Sequence, residues 1–174
     1  MEMKGVFIVI VVLAVAVFGV ILGYYTDRKS TFDERQLLAR AGAYRVGFGS
    51  LIIADLAIML LQSWSKWTEV VDSTFAMMAA LMVSLMVFSI YCVTHDAFFQ
   101  RKENPEAYLG ICIVVLFGNV MAVISHYSDH GTLLVNGKLT LSPGGNLAFG
   151  VMFFVLIVTI SIKMLVTRPE EDEE

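Results

Sequence analysis

Charged residues are scarce in this chain, and their scarcity excludes a soluble globular domain and a disordered chain. Only 16% of its 174 residues are Asp, Glu, Lys or Arg, whereas 57% are hydrophobic, and the mean hydropathy is +0.75. A soluble globular domain carries about 25% charged residues, and a disordered chain has few large apolar residues. The composition therefore predicts a membrane protein.

Cysteines and enzyme motifs are scarce as well. The chain has 2 cysteines, Cys92 and Cys112, and both lie in apolar runs, which excludes the disulfide framework of a small secreted protein. The sequence has no ATP-binding motif, no nucleophile elbow and no basic patch with interleaved aromatic residues. These absences argue against an enzyme and against nucleic acid as a partner. The expected partners are the lipid bilayer and either another membrane protein or further copies of the chain.

The apolar residues are gathered into runs that are long enough to cross a bilayer. An α-helix rises about 1.5 Å per residue, so about 20 residues cover the hydrocarbon core. The first run follows a single basic residue, Lys4, and lacks a cleavage site, which favours a retained anchor over a signal peptide. The predicted spans are residues 5–25, 46–64, 74–94, 108–125 and 147–166.

The basic residues predict the orientation of these spans. Of the 12 Lys and Arg residues, all but Lys4, Lys66 and Lys138 fall on one side of the predicted spans. Because basic loops stay in the cytoplasm, the N-terminus is predicted outside and the C-terminus inside. The predicted fold is an all-α membrane protein, a single domain built as a five-transmembrane-helix bundle. Residues 169–174 are expected to form a disordered acidic tail.

One outer loop carries the signal of a β-hairpin. Residues 132–141 read T-L-L-V-N-G-K-L-T-L, with a short potential strand on either side of Asn136 and Gly137. An Asn-Gly pair favours the tight turn that joins two antiparallel strands. A small outer β-hairpin is therefore predicted between the fourth and fifth spans, followed by a return loop at residues 142–146.

The polar segment at residues 30–45, between the first and second spans, is predicted to form a short cytoplasmic helix from about Asp33. Asp33 and Gln36 have the spacing of a capping box. One narrow face of this helix carries Asp33, Gln36, Arg40 and Tyr44. Two interpretations are open. The segment is either a solvated connection whose basic residues set the orientation, or a docking surface for another loop or a partner subunit.

The same segment resembles a loose group of small bacterial multi-pass membrane proteins. Those proteins carry D-E-R-Q and then a stretch like G-x-A-Y/F-[KR]-x-G-F that leads into a span. The matching residues here are Asp33, Glu34, Arg35, Gln36, Arg40, Gly42, Tyr44, Arg45, Gly47 and Phe48. The resemblance implies a bacterial cytoplasmic membrane, and it brings no established activity with it.

A polar layer is predicted near the middle of the membrane. Asp55 lies near the midpoint of the second span, and Ser84, Asn119 and Thr159 lie near the midpoints of the later spans. An acid at that depth costs roughly 2.5 to 3.5 kcal/mol on insertion scales. No Lys or Arg of the chain lies at that depth. Asp55 is therefore expected to form a structural hydrogen bond, to bind an ion, proton or substrate, or to dock a partner.

The end of the fourth span carries side chains of metal-ligand type. His126, Asp129 and His130 are spaced i, i+3 and i+4, so a continuing helix places them on one face. Histidine and carboxylate groups bind zinc, and the order is similar to the H-x-x-E-H of some zinc peptidases, with Asp in place of the catalytic Glu. The alternatives are a zinc site and a pair of solvated histidines at a helix end.

Three functions are compatible with the sequence. The first is a non-enzymatic accessory or interaction subunit of a bacterial membrane complex, which the lack of extramembrane domains and catalytic motifs favours. The second is a small transporter or channel component that uses Asp55 and the polar layer. The third is a metal-dependent membrane enzyme built on His126, Asp129 and His130.

Overall fold

The computed structural model describes residues 32–63, 65–99 and 104–167. Within these ranges the chain is mostly helical. The helices are α1 (Glu34–Gln62), α2 (Ser65–Val70), α3 (Ser73–Thr94), α4 (Pro105–His130) and α5 (Leu141–Val166). By length and composition, α1, α3, α4 and α5 could each cross a membrane. The predicted span at residues 5–25 and the acidic tail at residues 169–174 lie outside the described residues.

The four long helices confirm four of the predicted spans, and each begins earlier than its apolar run. Side chains set three of these starts. Asp33, Asp72 and Asn104 each accept a hydrogen bond from a backbone N–H in the first turn of α1, α3 and α4 respectively. Such caps satisfy donors that have no partner within the helix, so a helix can extend beyond the apolar run.

The sequence predicted a separate short helix in the polar segment before the second span. In the structure this segment is instead the beginning of α1. The predicted capping box is present: Glu34 N–H donates to Asp33 Oδ1 at 2.7 Å, and Asp33 N–H donates to Gln36 Oε1 at 3.2 Å. The residues after the cap include no proline, and most are good helix formers. Nothing therefore interrupts the helix before it reaches the apolar run.

The predicted β-hairpin is reduced to its turn. Asn136 and Gly137 both have positive φ, at 52° and 78°, which is the backbone of a tight hairpin turn. Val135 and Lys138 exchange both backbone hydrogen bonds across it, at 2.8 and 3.0 Å. Within the described residues these are isolated bridges, and residues 132–141 form no strands.

The pairing stops at Leu139 because this residue has other backbone partners. Its N–H donates to Val70 O at 2.8 Å, and its carbonyl accepts from Asp72 N–H at 3.0 Å. The loop before α5 is thereby fastened to the connection between α2 and α3. Short-range sequence signals predicted the turn, but these long-range contacts determine the path of the chain after the turn.

Residues 142–146 belong to α5, although the sequence predicted a return loop there. Pro143 is the third residue of the helix, where a backbone N–H would have no intrahelical acceptor, so its missing donor is tolerated. A Cβ at Gly144 would lie 2.7 Å from the Phe75 ring. The glycine therefore permits a close approach of α5 to α3 and does not mark a flexible loop.

Helices α3 and α5 lie between α1 and α4. Helix α1 packs on α3, α3 on α5, and α5 on α4. Val93, Cys112, Leu156 and Ile160 form a buried core cluster at the junction of α3, α4 and α5. Most large apolar side chains of α1 and α4 are exposed, as is typical of helices that face lipid or other membrane proteins.

Candidate functional site

The loop after α3 is fastened to two other helices by polar contacts. Gln36 Nε2, from α1, donates to Asp96 O at 2.6 Å and to Phe99 O at 3.2 Å. Lys163 Nζ, from α5, forms an ion pair with Asp96 Oδ2 at 2.9 Å. Asp96 therefore connects α1 and α5, through its carbonyl and its carboxylate respectively. We call this group of three residues, Gln36, Asp96 and Lys163, the loop clamp.

The backbone of Asp96 has the left-handed conformation that usually favours glycine. Its φ is 56°, and it follows the end of α3. Asp96 N–H donates to Val93 O and Ala97 N–H donates to Cys92 O, which together form a Schellman motif. A residue with a Cβ is strained in this conformation, so the contacts from α1 and α5 stabilise a strained residue.

Aromatic rings pack the same loop against α4. The Phe98 and Phe99 ring centroids lie 4.9 Å apart in a T-shaped arrangement. Tyr108 of α4 meets Phe99 at 5.3 Å, again near edge-to-face. Such pairs stabilise beyond the area they bury. The loop after α3 thus contacts all three of the other long helices.

The predicted polar face of α1 is used mainly within the chain. Asp33 caps the helix, and Gln36 binds the loop after α3. Arg40 is half-buried. Tyr44 keeps 60% of its surface exposed, while its ring lies 4.9 Å from that of Phe88. The contact of Gln36 with another loop is intramolecular.

The four residues of the predicted polar layer do not form a common site. Ser84 is buried, and its Oγ donates to Gly47 O at 2.7 Å. Asn119 Nδ2 and Thr159 Oγ1 each donate, at 2.8 Å, to the carbonyl four residues earlier in their own helices. All three side chains therefore bind backbone carbonyls, and none of these hydrogen bonds involves Asp55.

Asp55 differs from these three residues because it is exposed and has no partner within the described part of the chain. It lies in a groove of about 400 Å³ between α1 and α3. The amide nitrogen of Gln62 is buried in the same groove and lacks a hydrogen-bond partner among the described residues. We call it the Asp55 groove, and its lining residues are Leu51, Asp55, Ile58, Met59, Gln62 and Met77.

His126 and His130 come together at the end of α4, but Asp129 does not complete a metal site with them. The two rings stack with centroids 4.5 Å apart, and His130 Nδ1 lies 3.1 Å from His126 O. The described residues contain no group of three or more His, Cys, Asp or Glu side chains that could hold a metal ion. Within the described residues, the two histidines therefore lie together without a third potential ligand.

Asp96 and Lys163 were missed as functional partners by sequence reasoning. The only available signal was that both lie at span ends on the side rich in basic residues. Their pairing follows from the parallel packing of α3 and α5, which places the ends of both helices together. The contact between Asp96 and Lys163 cannot be predicted from sequence spacing, because 67 residues separate the two positions.

The loop clamp and the Asp55 groove can do different things chemically. The clamp pairs its donors and acceptors within the chain, so it can position the loop after α3. The groove offers the unpaired carboxylate of Asp55 in apolar surroundings, so it can bind a polar group of another molecule. Among known proteins, no protein-family model, no curated protein and no solved structure matches the chain.

Proposed function

We propose that the chain is a non-enzymatic accessory or interaction subunit of a bacterial membrane complex. The observation that supports this function is the exposed carboxylate of Asp55, which has no partner among the described residues. A polar side chain in a bilayer is expensive unless it pairs with another polar group. A subunit that docks on α1 would supply that group, so assembly would relieve the cost.

The main alternative is a small transporter or channel component, and the side-chain contacts favour it less. A transport path needs polar groups that face a common space. Asn119 lines a groove between α4 and α5, whereas Asp55 lies between α1 and α3. Ser84 and Thr159 bind backbone carbonyls. The arrangement of these residues therefore supports assembly at Asp55 better than passage through a shared polar layer.

The proposed subunit lies in the cytoplasmic membrane with five spans, including the one predicted at residues 5–25. Its N-terminus is outside, and the loop clamp faces the cytoplasm, as the bias of basic residues predicts. In this arrangement the D-E-R-Q motif begins α1 at the cytoplasmic interface. Its Asp33 and Gln36 stabilise that end of the bundle, which gives the motif a structural role in the assembled subunit.

Gentle purification of the full chain from its native membranes tests this function. Mass spectrometry should find a second protein in a fixed ratio to the chain. Asp55→Leu should reduce that ratio about fivefold to thirtyfold, because polar pairing in a bilayer is worth about 1–2 kcal/mol. Leu56→Ala is the control, because it changes an exposed side chain next to Asp55 that does not line the groove. A chain that is recovered alone, with or without the substitution, would contradict the proposed function.

A further inference from the structure

The Asp55 groove has the shape and the lining residues of a surface on which a helix can pack. It runs along one side of α1, where residues 51, 55, 58, 59 and 62 recur at intervals of three or four. Met77 contributes the opposite wall from α3. Methionine side chains adapt to irregular surfaces, and Met59 is 60% exposed, so it is free to repack. Such a row of side chains is the surface that an incoming transmembrane helix contacts.

The polar groups of the groove specify what that helix must carry. Asp55 offers only acceptors when it is ionised, and it lies near the middle of the apolar part of α1. Arg45 lies about 15 Å from Asp55 along the axis of α1, and Lys66 lies in α2, beyond the end of α1. Neither is placed to neutralise an acid at the middle of the span.

The rest of the sequence does not contain a counter-charge at that depth either. Helices α3 and α4 contain no Lys or Arg, and the only one in α5, Lys163, already pairs with Asp96 near the end of the helix. The apolar run at residues 5–25 contains none. A second copy of this chain would have the same deficiency, so the complementary charge must come from a different protein.

We propose that the Asp55 groove binds a transmembrane helix of a different protein that carries a Lys or Arg near the middle of its span. This inference rests on the proposed function and names the chemistry of the partner. The basic side chain pairs with Asp55 in a region where neither charge could otherwise remain without cost.

A designed peptide can act as the partner in a direct test. The probe is a leucine-rich transmembrane peptide with one Lys at its midpoint, reconstituted with the full chain in phosphatidylcholine vesicles. Energy transfer between labels on the two molecules reports binding. Two matched peptides serve as controls, one with Leu at the midpoint and one with the Lys moved two turns towards an end.

The unmodified chain should bind the midpoint-Lys peptide about fivefold to thirtyfold more tightly than either control peptide, which corresponds to about 1–2 kcal/mol of polar pairing in a bilayer. Asp55→Leu and Asp55→Asn should both remove this preference. Asp55→Lys should reverse it, so that a peptide with Asp at its midpoint binds best. This reversal shows that the variants remain folded, because an unfolded chain would gain no new specificity.

Equal binding of the three peptides, or an unchanged preference in Asp55→Leu, would overturn the inference. So would dimers of the chain that form in the same vesicles and depend on Asp55. A different result would contradict the proposed function, namely that no second protein copurifies with the chain from native membranes. A native partner that depends on Asp55 but has no basic residue in its spans would leave the proposed function standing and refute the inference.

Discussion

Asp55 and Asp96 are acids of the same chemical type, and the chain surrounds them in opposite ways. Asp96 lies at the end of α3, where Lys163 binds its carboxylate and Gln36 binds its carbonyl. Asp55 lies in the apolar part of α1 and has no partner among the described residues. The acid at the end of the bundle is paired, and the acid in the apolar part of α1 is not.

This difference shows which polar groups the chain uses for its own fold. Asp96 is exposed, so water could satisfy it, and yet three helices contact its loop. In the apolar region, Ser84 and Thr159 bind backbone carbonyls, so the chain can satisfy polar groups at that depth too. The chain therefore leaves the Asp55 carboxylate unpaired in a region where it pairs the hydroxyl groups of Ser84 and Thr159, and this difference points to a role outside the fold.

Among these substitutions, Asp55→Leu should have the largest effect on the chain without its partner, and it should make membrane insertion of α1 more favourable. Leu removes an acid whose insertion costs about 3 kcal/mol, so α1 should insert more readily by about that amount in a glycosylation-based insertion assay. The free energy of unfolding of the purified chain in detergent should not fall. A loss of about 1 kcal/mol or more would show that Asp55 has a partner within the fold.

Replacing Gln36 should destabilise the chain by about 2 kcal/mol, because two hydrogen bonds to the loop after α3 are lost and two backbone carbonyls lose a donor. Gln36→Leu removes both these bonds and the capping acceptor. Gln36→Glu keeps the acceptor for Asp33 N–H but has no amide donor. If the loop contacts dominate, denaturant titration should give similar losses for both variants. Full stability in Gln36→Glu would contradict a role for the loop contact.

Ser84→Ala should cost about 1 kcal/mol of unfolding free energy, because it removes one buried hydrogen bond to Gly47 O. The small residue preserves the packing of α1 on α3. Thr159→Val is a useful comparison, because its lost bond lies within α5 and does not join two helices. Urea or SDS unfolding should therefore show the larger loss for Ser84→Ala, and the reverse order would contradict the assignment.

Lys163→Met should have the smallest effect, about 0.5 kcal/mol or less, since its partner Asp96 is 71% exposed and solvent weakens the pair. Met keeps the apolar stem of the side chain. Raising the salt concentration should lower the stability of the unmodified chain towards that of the variant. A loss above about 2 kcal/mol would show that the pair is far better shielded than its exposure indicates.

Sequence patterns predicted the parts of the fold that depend on local physics. Four spans follow from apolar runs, the capping box from the spacing of Asp33 and Gln36, and the tight turn from Asn136 and Gly137. The helix starts and the hairpin were predicted less well. Gly144 and Gly145 look like loop residues in isolation, and only the close approach of Phe75 and Met78 shows why small residues stand in this part of α5.

The candidate site was less predictable, because it depends on which helices are neighbours. Midpoint depth alone suggested that Asp55, Ser84, Asn119 and Thr159 share a layer, but depth does not determine the direction in which a side chain points. The packing order α1, α3, α5, α4 separates Asp55 from Asn119 and Thr159. The same packing order brings together the three residues of the loop clamp, whose positions in the sequence are too far apart for any spacing pattern to link them.

The most direct test of the account applies one substitution to both acids. Asp55→Asn and Asp96→Asn each remove a charge and preserve the shape of the side chain, so binding of the midpoint-Lys peptide in vesicles compares the two positions on equal terms. The affinity should fall about fivefold to thirtyfold for Asp55→Asn and should not change for Asp96→Asn. Equal affinities in both variants and the unmodified chain would contradict the claim that Asp55 is reserved for a partner.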